Sequence, residues 1–151
     1  MSVAFRRESD DEHKEPRFEL PIPPGPNLVT ERGLSQIESR VAELEAQVSG
    51  QGEGEALVEA KRALRYWRQR LATAQIGPLP VSDEIGFGSS VEIRLNGKSR
   101  RLQIVGDDEA DPAAGLLALS SPLAQALVGA GEGETLPFGG REDAIAVLSI
   151  A

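Results

Sequence analysis

The sequence predicts an α+β protein in which an N-terminal antiparallel coiled-coil hairpin precedes a small antiparallel-sheet domain with one short helix. Three observations predict it. Between Thr30 and Ala74 apolar residues recur every three or four positions on both sides of a glycine-rich break; beyond Pro80 the period falls towards two; and Ser121-Pro122 opens one short helical stretch.

The hairpin comes first. Thr30 is a suitable N-cap, and Leu34, Ile37, Val41, Leu44 and Val48 follow at the alternating spacing of a coiled-coil seam. The seam stops at Ser49. After "GQGEGE" the spacing resumes with Leu57, Ala60, Leu64, Trp67, Leu71 and Ala74, until Gly77-Pro78 breaks the helix. Two seamed helices joined by a short loop make an antiparallel pair. Glu31, Glu38, Glu43 and Glu45 on the first helix can face Lys61, Arg62, Arg65, Arg68 and Arg70 on the second. Exposed pairs of this kind contribute about 0.3 kcal/mol each, so they select orientation while burial of the seam supplies stability.

In "SSVEIRLNGKSRRLQIVG", Asn96-Gly97 separates two alternating segments, a strong hairpin signal, with Val91, Ile93 and Leu95 on one face. A further strand is expected at Leu116 to Ser120. Ser121 as N-cap, Pro122 at the first helical position and Gly129 as a stop bracket a short helix. Glu134 to Phe138 and Asp143 to Ile150, around Gly139-Gly140, complete a sheet expected to be antiparallel throughout.

Residues 1–27 read as a disordered or extended arm, polar at first and then proline-rich ("PRFELPIPPGPN"). His13 there reads as a solvated residue rather than a ligand or base, since metal capture needs several convergent ligands. Packing of Phe5, Phe18 or Ile22 onto the folded part is the less favoured reading. The expected organisation is therefore an arm at 1–27, a hairpin at 28–77 and a sheet domain at 78–151.

Composition narrows the function. The 151 residues are 40% hydrophobic but carry only Trp67, Tyr66 and four phenylalanines, so the core must be mostly aliphatic. A formal net charge of -8 argues against a protein that coats nucleic acid or reads its sequence, and favours a protein partner with a basic rim. The absence of cysteine excludes disulfides, thiolate metal sites and a cysteine nucleophile, and suits a reducing cytoplasm. No apolar run approaches the ~20 residues of a membrane span, and "MSVAFRRESDDEHKEP" lacks the centre of a secretory signal, so a cytoplasmic protein is expected. No serine, histidine and acid arrangement exists outside the arm, and "GQGEGE" follows a helix and lacks the lysine of a phosphate loop. No cofactor or resident metal is expected.

From Leu28 onward the residues resemble the bacterial Gre transcript-cleavage factors. The resemblance is carried by "NLVTERGLSQIESRVAELE" and above all by "FGSSVEIRL", "IVGDDEAD" and "LSSPLAQALVGAGEGE". It implies a C-terminal domain of FKBP-like fold that grips the rim of the RNA polymerase secondary channel, with the coiled coil entering the channel. Carried over, the docking residues are Asp107, Asp108, Glu109, Asp111, Ser121 and Pro122. Read without the resemblance, Ser121-Pro122 is sufficiently explained as a helix start and "DDEAD" as a solvated loop. An FKBP-like fold also invites a prolyl isomerase reading, but only Phe87 and Phe138 are available to line a pocket.

The tip departs from the family. Gre cleavage factors carry a D-x-x-E-N pattern there that helps to bind magnesium and activate water. Here Glu53 and Glu55 stand two apart among Gly50, Gly52 and Gly54, without the stiffness that metal catalysis requires. The first helix, about 28 Å long at ~1.5 Å per residue, is also shorter than the family's cleavage-competent hairpins. The preferred reading is a noncatalytic, monomeric regulator of RNA polymerase. A genuine cleavage-stimulating factor acting through Glu53 and Glu55, and a coiled-coil adaptor unrelated to polymerase, are the alternatives.

Overall fold

The computed structural model describes residues 19–50 and 52–151; the readings placed on Phe5, His13 and Phe18 lie outside the described residues. Strand β1 (Asn27–Val29) leads into helix α1 (Glu31–Gly50), and after the glycine turn helix α2 (Glu55–Thr73) returns alongside it and passes into strand β2 (Ala74–Ile76). The sheet domain follows as β3 (Ser90–Leu95), β4 (Lys98–Val105), a single 3-10 turn at Pro112–Ala114, β5 (Leu116–Ala118), α3 (Pro122–Leu127), β6 (Thr135–Phe138) and β7 (Arg141–Ile150).

The capping expectation for α1 holds: the Thr30 hydroxyl oxygen accepts from the Gly33 amide at 2.9 Å. The seam packs as its spacing requires, with Ile37, Val41, Leu44, Ala60 and Leu64 buried and Val48, Trp67 and Leu71 closing around the Val41, Leu44 and Leu64 cluster. The charge pattern is realised differently. Among the described residues Arg68 to Glu45, at 3.0 Å, is the one ion pair joining α1 to α2. Arg65 instead grips Glu19 of the preceding segment with two hydrogen bonds of 2.8 and 2.9 Å, and Arg70 turns towards the sheet domain.

Helix α2 does not run on to Gly77. Ala74 to Ile76 extends and pairs in parallel with Asn27 to Val29, and the Gly77 amide donates to the Val29 carbonyl at 2.9 Å. The Asn27 amide nitrogen donates to the Arg70 carbonyl at 2.8 Å, an acceptor that the end of a helix leaves free, and also to the Thr73 hydroxyl at 3.3 Å. Helical spacing cannot anticipate this ending, because the strand partner lies more than forty residues upstream.

The main sheet has the order β5-β4-β3-β7-β6. Asn96 and Gly97, at φ 51° and 86°, turn β3 into β4 as expected. Gly139 and Gly140, at φ 63° and 84°, do the same between β6 and β7. The expectation of an entirely antiparallel sheet fails at one edge: β5 runs parallel to β4, with Gln103, Ile104 and Val105 opposite Leu116, Leu117 and Ala118. Residues 106–115 form the crossover that a parallel pair needs, a loop carrying the 3-10 turn in place of an α-helix. Residue alternation reports which face a side chain takes and is silent on strand direction. One face is covered by α3, whose Ala124 and Leu127 pack on Ile93, Ile104, Ile145 and Val147. The start of α3 is as expected, with Ser121 Oγ accepting from the Ala124 amide at 3.3 Å. The α+β class, a helical hairpin plus a small sheet domain with one short helix, is the observed one.

Candidate docking site at the hairpin junction

The loop leaving β4, Gly106 to Asp111, meets the base of the helical hairpin. Gly106 permits it: a Cβ there would collide with the Leu28 carbonyl oxygen, so only glycine lets β1 pass this closely. From this point successive acidic residues point in different directions.

Asp108 turns inward. Its Oδ2 accepts from Arg70 Nε at 2.6 Å and its Oδ1 from the Tyr66 hydroxyl at 2.5 Å. Arg70 is only 2% exposed and donates a further bond from Nη2 to Asn27 Oδ1 at 2.8 Å. A buried guanidinium is tolerable only when paired and hydrogen-bonded, and this one has both kinds of partner. Burial pushes the Tyr66 phenol up to about 12, and its bond to Asp108 adds to the shift by placing a negative charge against any phenolate.

Glu109 also turns inward, its side chain 3% exposed. It accepts from Thr30 Oγ1 at 2.6 Å and from Arg32 Nη1 at 3.3 Å, so the residue that caps α1 is itself tied to the sheet domain. Gly33 is buried beneath this contact; a Cβ at that position would lie 2.8 Å from Glu109 Oε1.

The other candidate residues face outward to different degrees. Asp107 is half-buried and its Oδ1 accepts from Ser120 Oγ at 2.9 Å. Asp111 and Pro122 are exposed, and the Ser121 hydroxyl is engaged in capping α3. Of the six predicted docking residues, Asp107, Asp111, Ser121 and Pro122 thus lie towards the surface around the crossover loop and the start of α3. Asp108 and Glu109 join the two modules. The residues that make this junction with them, Asn27, Arg70, Tyr66 and Arg32, were missed as functional candidates. The available signal was an arginine at position 70 directly before the seam residue Leu71, where it can reach inward.

Glu53 and Glu55 are exposed at the opposite end of the hairpin. Gly54 between them has φ 105° and caps α2 without a side-chain bond, while Glu55 is the first residue of the helix. Neither carboxylate takes part in a hydrogen bond or ion pair among the described residues. No group of three or more potential metal ligands occurs among the described residues, and no described helix is long and apolar enough to cross a membrane. A groove of about 440 Å³ on the sheet, between Val91, Leu102, Leu116 and Ser149, has no aromatic ring among the described residues that line it, unlike the pocket a prolyl isomerase needs.

Residues 80–150 match the family model described as transcription elongation factor, GreA/GreB, C-terminal. The chain is similar to the transcription elongation factor GreA of Cereibacter sphaeroides, 46% identical over 63 residues that cover 40% of this chain and 42% of that protein. It is similar also to GreA of Xylella fastidiosa, 44% identical over 73 residues covering 44% and 46% of the two chains. The matches therefore span less than half the length of these two relatives. Among solved structures, GreA factor homolog 1 of Thermus thermophilus aligns over 84% of this chain and 99% of its own, at 19% identity and a TM-score of 0.39.

Proposed function

We propose, from the premise that this chain belongs to the GreA/GreB family through its C-terminal domain, that it is a transcription factor that binds RNA polymerase at the secondary channel without stimulating transcript cleavage. The C-terminal domain docks on the channel rim through Asp107, Asp111, Ser121 and Pro122. An acidic loop beside a helix start suits a basic partner, because complementary charge speeds encounter and fixes orientation. Asp108 and Glu109 contribute indirectly, by holding the hairpin at a set angle to the docked domain. The chain acts as a monomer in the compartment that holds the polymerase.

The observation that carries the noncatalytic part is the tip. Glu53 and Glu55 flank a glycine at φ 105°, and among the described residues no hydrogen bond or ion pair holds either carboxylate. Metal-assisted hydrolysis requires ligands held to within about half an ångström of their working positions, and this tip provides no such support. The competing reading, a cleavage-stimulating factor acting through these two glutamates, makes the opposite prediction in the same assay. In backtracked elongation complexes with magnesium, the protein should not accelerate release of the RNA 3′ fragment, and it should inhibit an authentic cleavage factor by competing for the rim. Cleavage by the wild type that is lost on replacing Glu53 and Glu55 by alanine would establish the alternative. A chain that neither cleaves nor competes would be an adaptor for some other partner.

A further inference from the structure

We propose that Pro24 and Pro26, which precede the region of family resemblance, form part of the docking cleft and determine which side chain it accepts. That side chain is a lysine or arginine of the polymerase, its hydrocarbon stem against the prolines and its charge at Asp107. This rests on the docking function proposed above.

A cleft of about 200 Å³ opens where the segment before β1 meets the sheet domain, lined by Pro24, Pro26, Leu28, Phe87, Leu119 and Asp107 among others. Its lining is mostly apolar, and among the described residues Asp107 is the single ionisable group in it. One carboxylate oxygen accepts from Ser120, and among the described residues no cation pairs with Asp107. An apolar occupant would bury that carboxylate without compensation, and an acidic one would be repelled. A long cationic side chain meets both demands, since its stem covers apolar surface while its head reaches the anion.

The proline side of the cleft is held in place before any partner arrives. Asn27, next in the chain, is buried and bonded to both the side chain and the carbonyl of Arg70. Proline restricts its own φ, and Gly25 supplies the φ of 87° needed to turn between the two rings. A cleft wall of this kind loses little entropy on binding. Because it comes from outside the shared family segment, it distinguishes the cleft of this chain from one built of the C-terminal domain alone.

The test measures affinity of the full chain for core RNA polymerase, with circular dichroism as a check on folding. Asp107→Asn should weaken binding about tenfold, or ~1.4 kcal/mol, by a factor that shrinks as salt is raised. The double variant Pro24→Lys with Pro26→Lys should weaken it at least as much, because a lysine of the chain itself then occupies the cleft. Both prolines are exposed, so the fold should tolerate the change. The milder Pro24→Ala with Pro26→Ala should cost about threefold by removing contact with the stem. If Asp107→Asn weakens binding while both proline pairs bind as wild type, the proline wall has no role and the proposal is overturned, although docking stands. If none of the three weakens binding, the docking site is elsewhere and both readings fail.

Discussion

Replacing Asp108 by asparagine removes one charge from the junction and leaves the rest of the side chain in place. Arg70 is then a guanidinium with 2% exposure and no anion, although Asn27 and the new amide oxygen still accept hydrogen bonds. Breaking a buried ion pair from one side costs about 3–5 kcal/mol, and the retained bonds put this case near the lower end, ~3 kcal/mol. With a urea slope of about 2 kcal/mol per molar, the unfolding midpoint should fall by about 1.5 M. Trp67, packed edge-on to Tyr66 at 5.1 Å, reports the transition by fluorescence from the affected region. Adding Arg70→Met to the Asp108→Asn background should restore part of the loss, because the orphaned charge is gone, and the resulting coupling should exceed about 1 kcal/mol. A midpoint shift below about 0.3 M, or strictly additive losses, would refute the view that this pair is buried and mutually dependent.

Three further predictions follow from the same geometry. Tyr66 is the sole tyrosine, so its phenolate absorbance should titrate in the folded protein near 12 rather than at its ordinary 10.0. Because the folded value is the higher one, the contribution of Tyr66 to stability should be complete below pH ~10 and vanish as pH rises towards 12; a folded-state midpoint near 10 would contradict its burial against Asp108. Gly33→Ala should destabilise by about 1–3 kcal/mol despite the ~1 kcal/mol that alanine ordinarily adds within a helix, because its methyl presses on the Glu109 carboxylate; a rise in melting temperature would show that Glu109 moves freely aside. Leu44→Ala should cost about 2–5 kcal/mol in urea unfolding, as Leu44 is 2% exposed in the seam, and a loss under about 1 kcal/mol would mean that the two helices do not depend on this contact.

The elements with strong local signals were legible from residues close together in the chain. The seam of Ile37, Val41, Leu44 and Leu64 follows from helical geometry, which brings positions three and four apart onto one face. Asn96-Gly97 marks its turn because few other residues accept φ above zero at both positions, and Ser121-Pro122 marks a helix start by capping and by a fixed φ.

What the amino-acid sequence determined by itself was the hairpin, its break, the β3–β4 turn, the short helix and the outline of an acidic loop beside that helix. Tertiary structure alone decided how each acid in "DDEAD" is used. Asp108 is neutralised by Arg70, 38 positions earlier, and Glu109 is held by Thr30, 79 positions earlier, while Asp111 stays in solvent. The same holds for the parallel pairing of β5 with β4, and for Ala74 to Ile76 leaving helical geometry to pair with Asn27 to Val29. Periodicity, capping and turn preference act over a few residues and are written in adjacent letters. Whether a carboxylate is an exposed contact or a buried counter-ion depends on which distant cation the fold delivers to it, and on the water excluded when the two modules close around the pair.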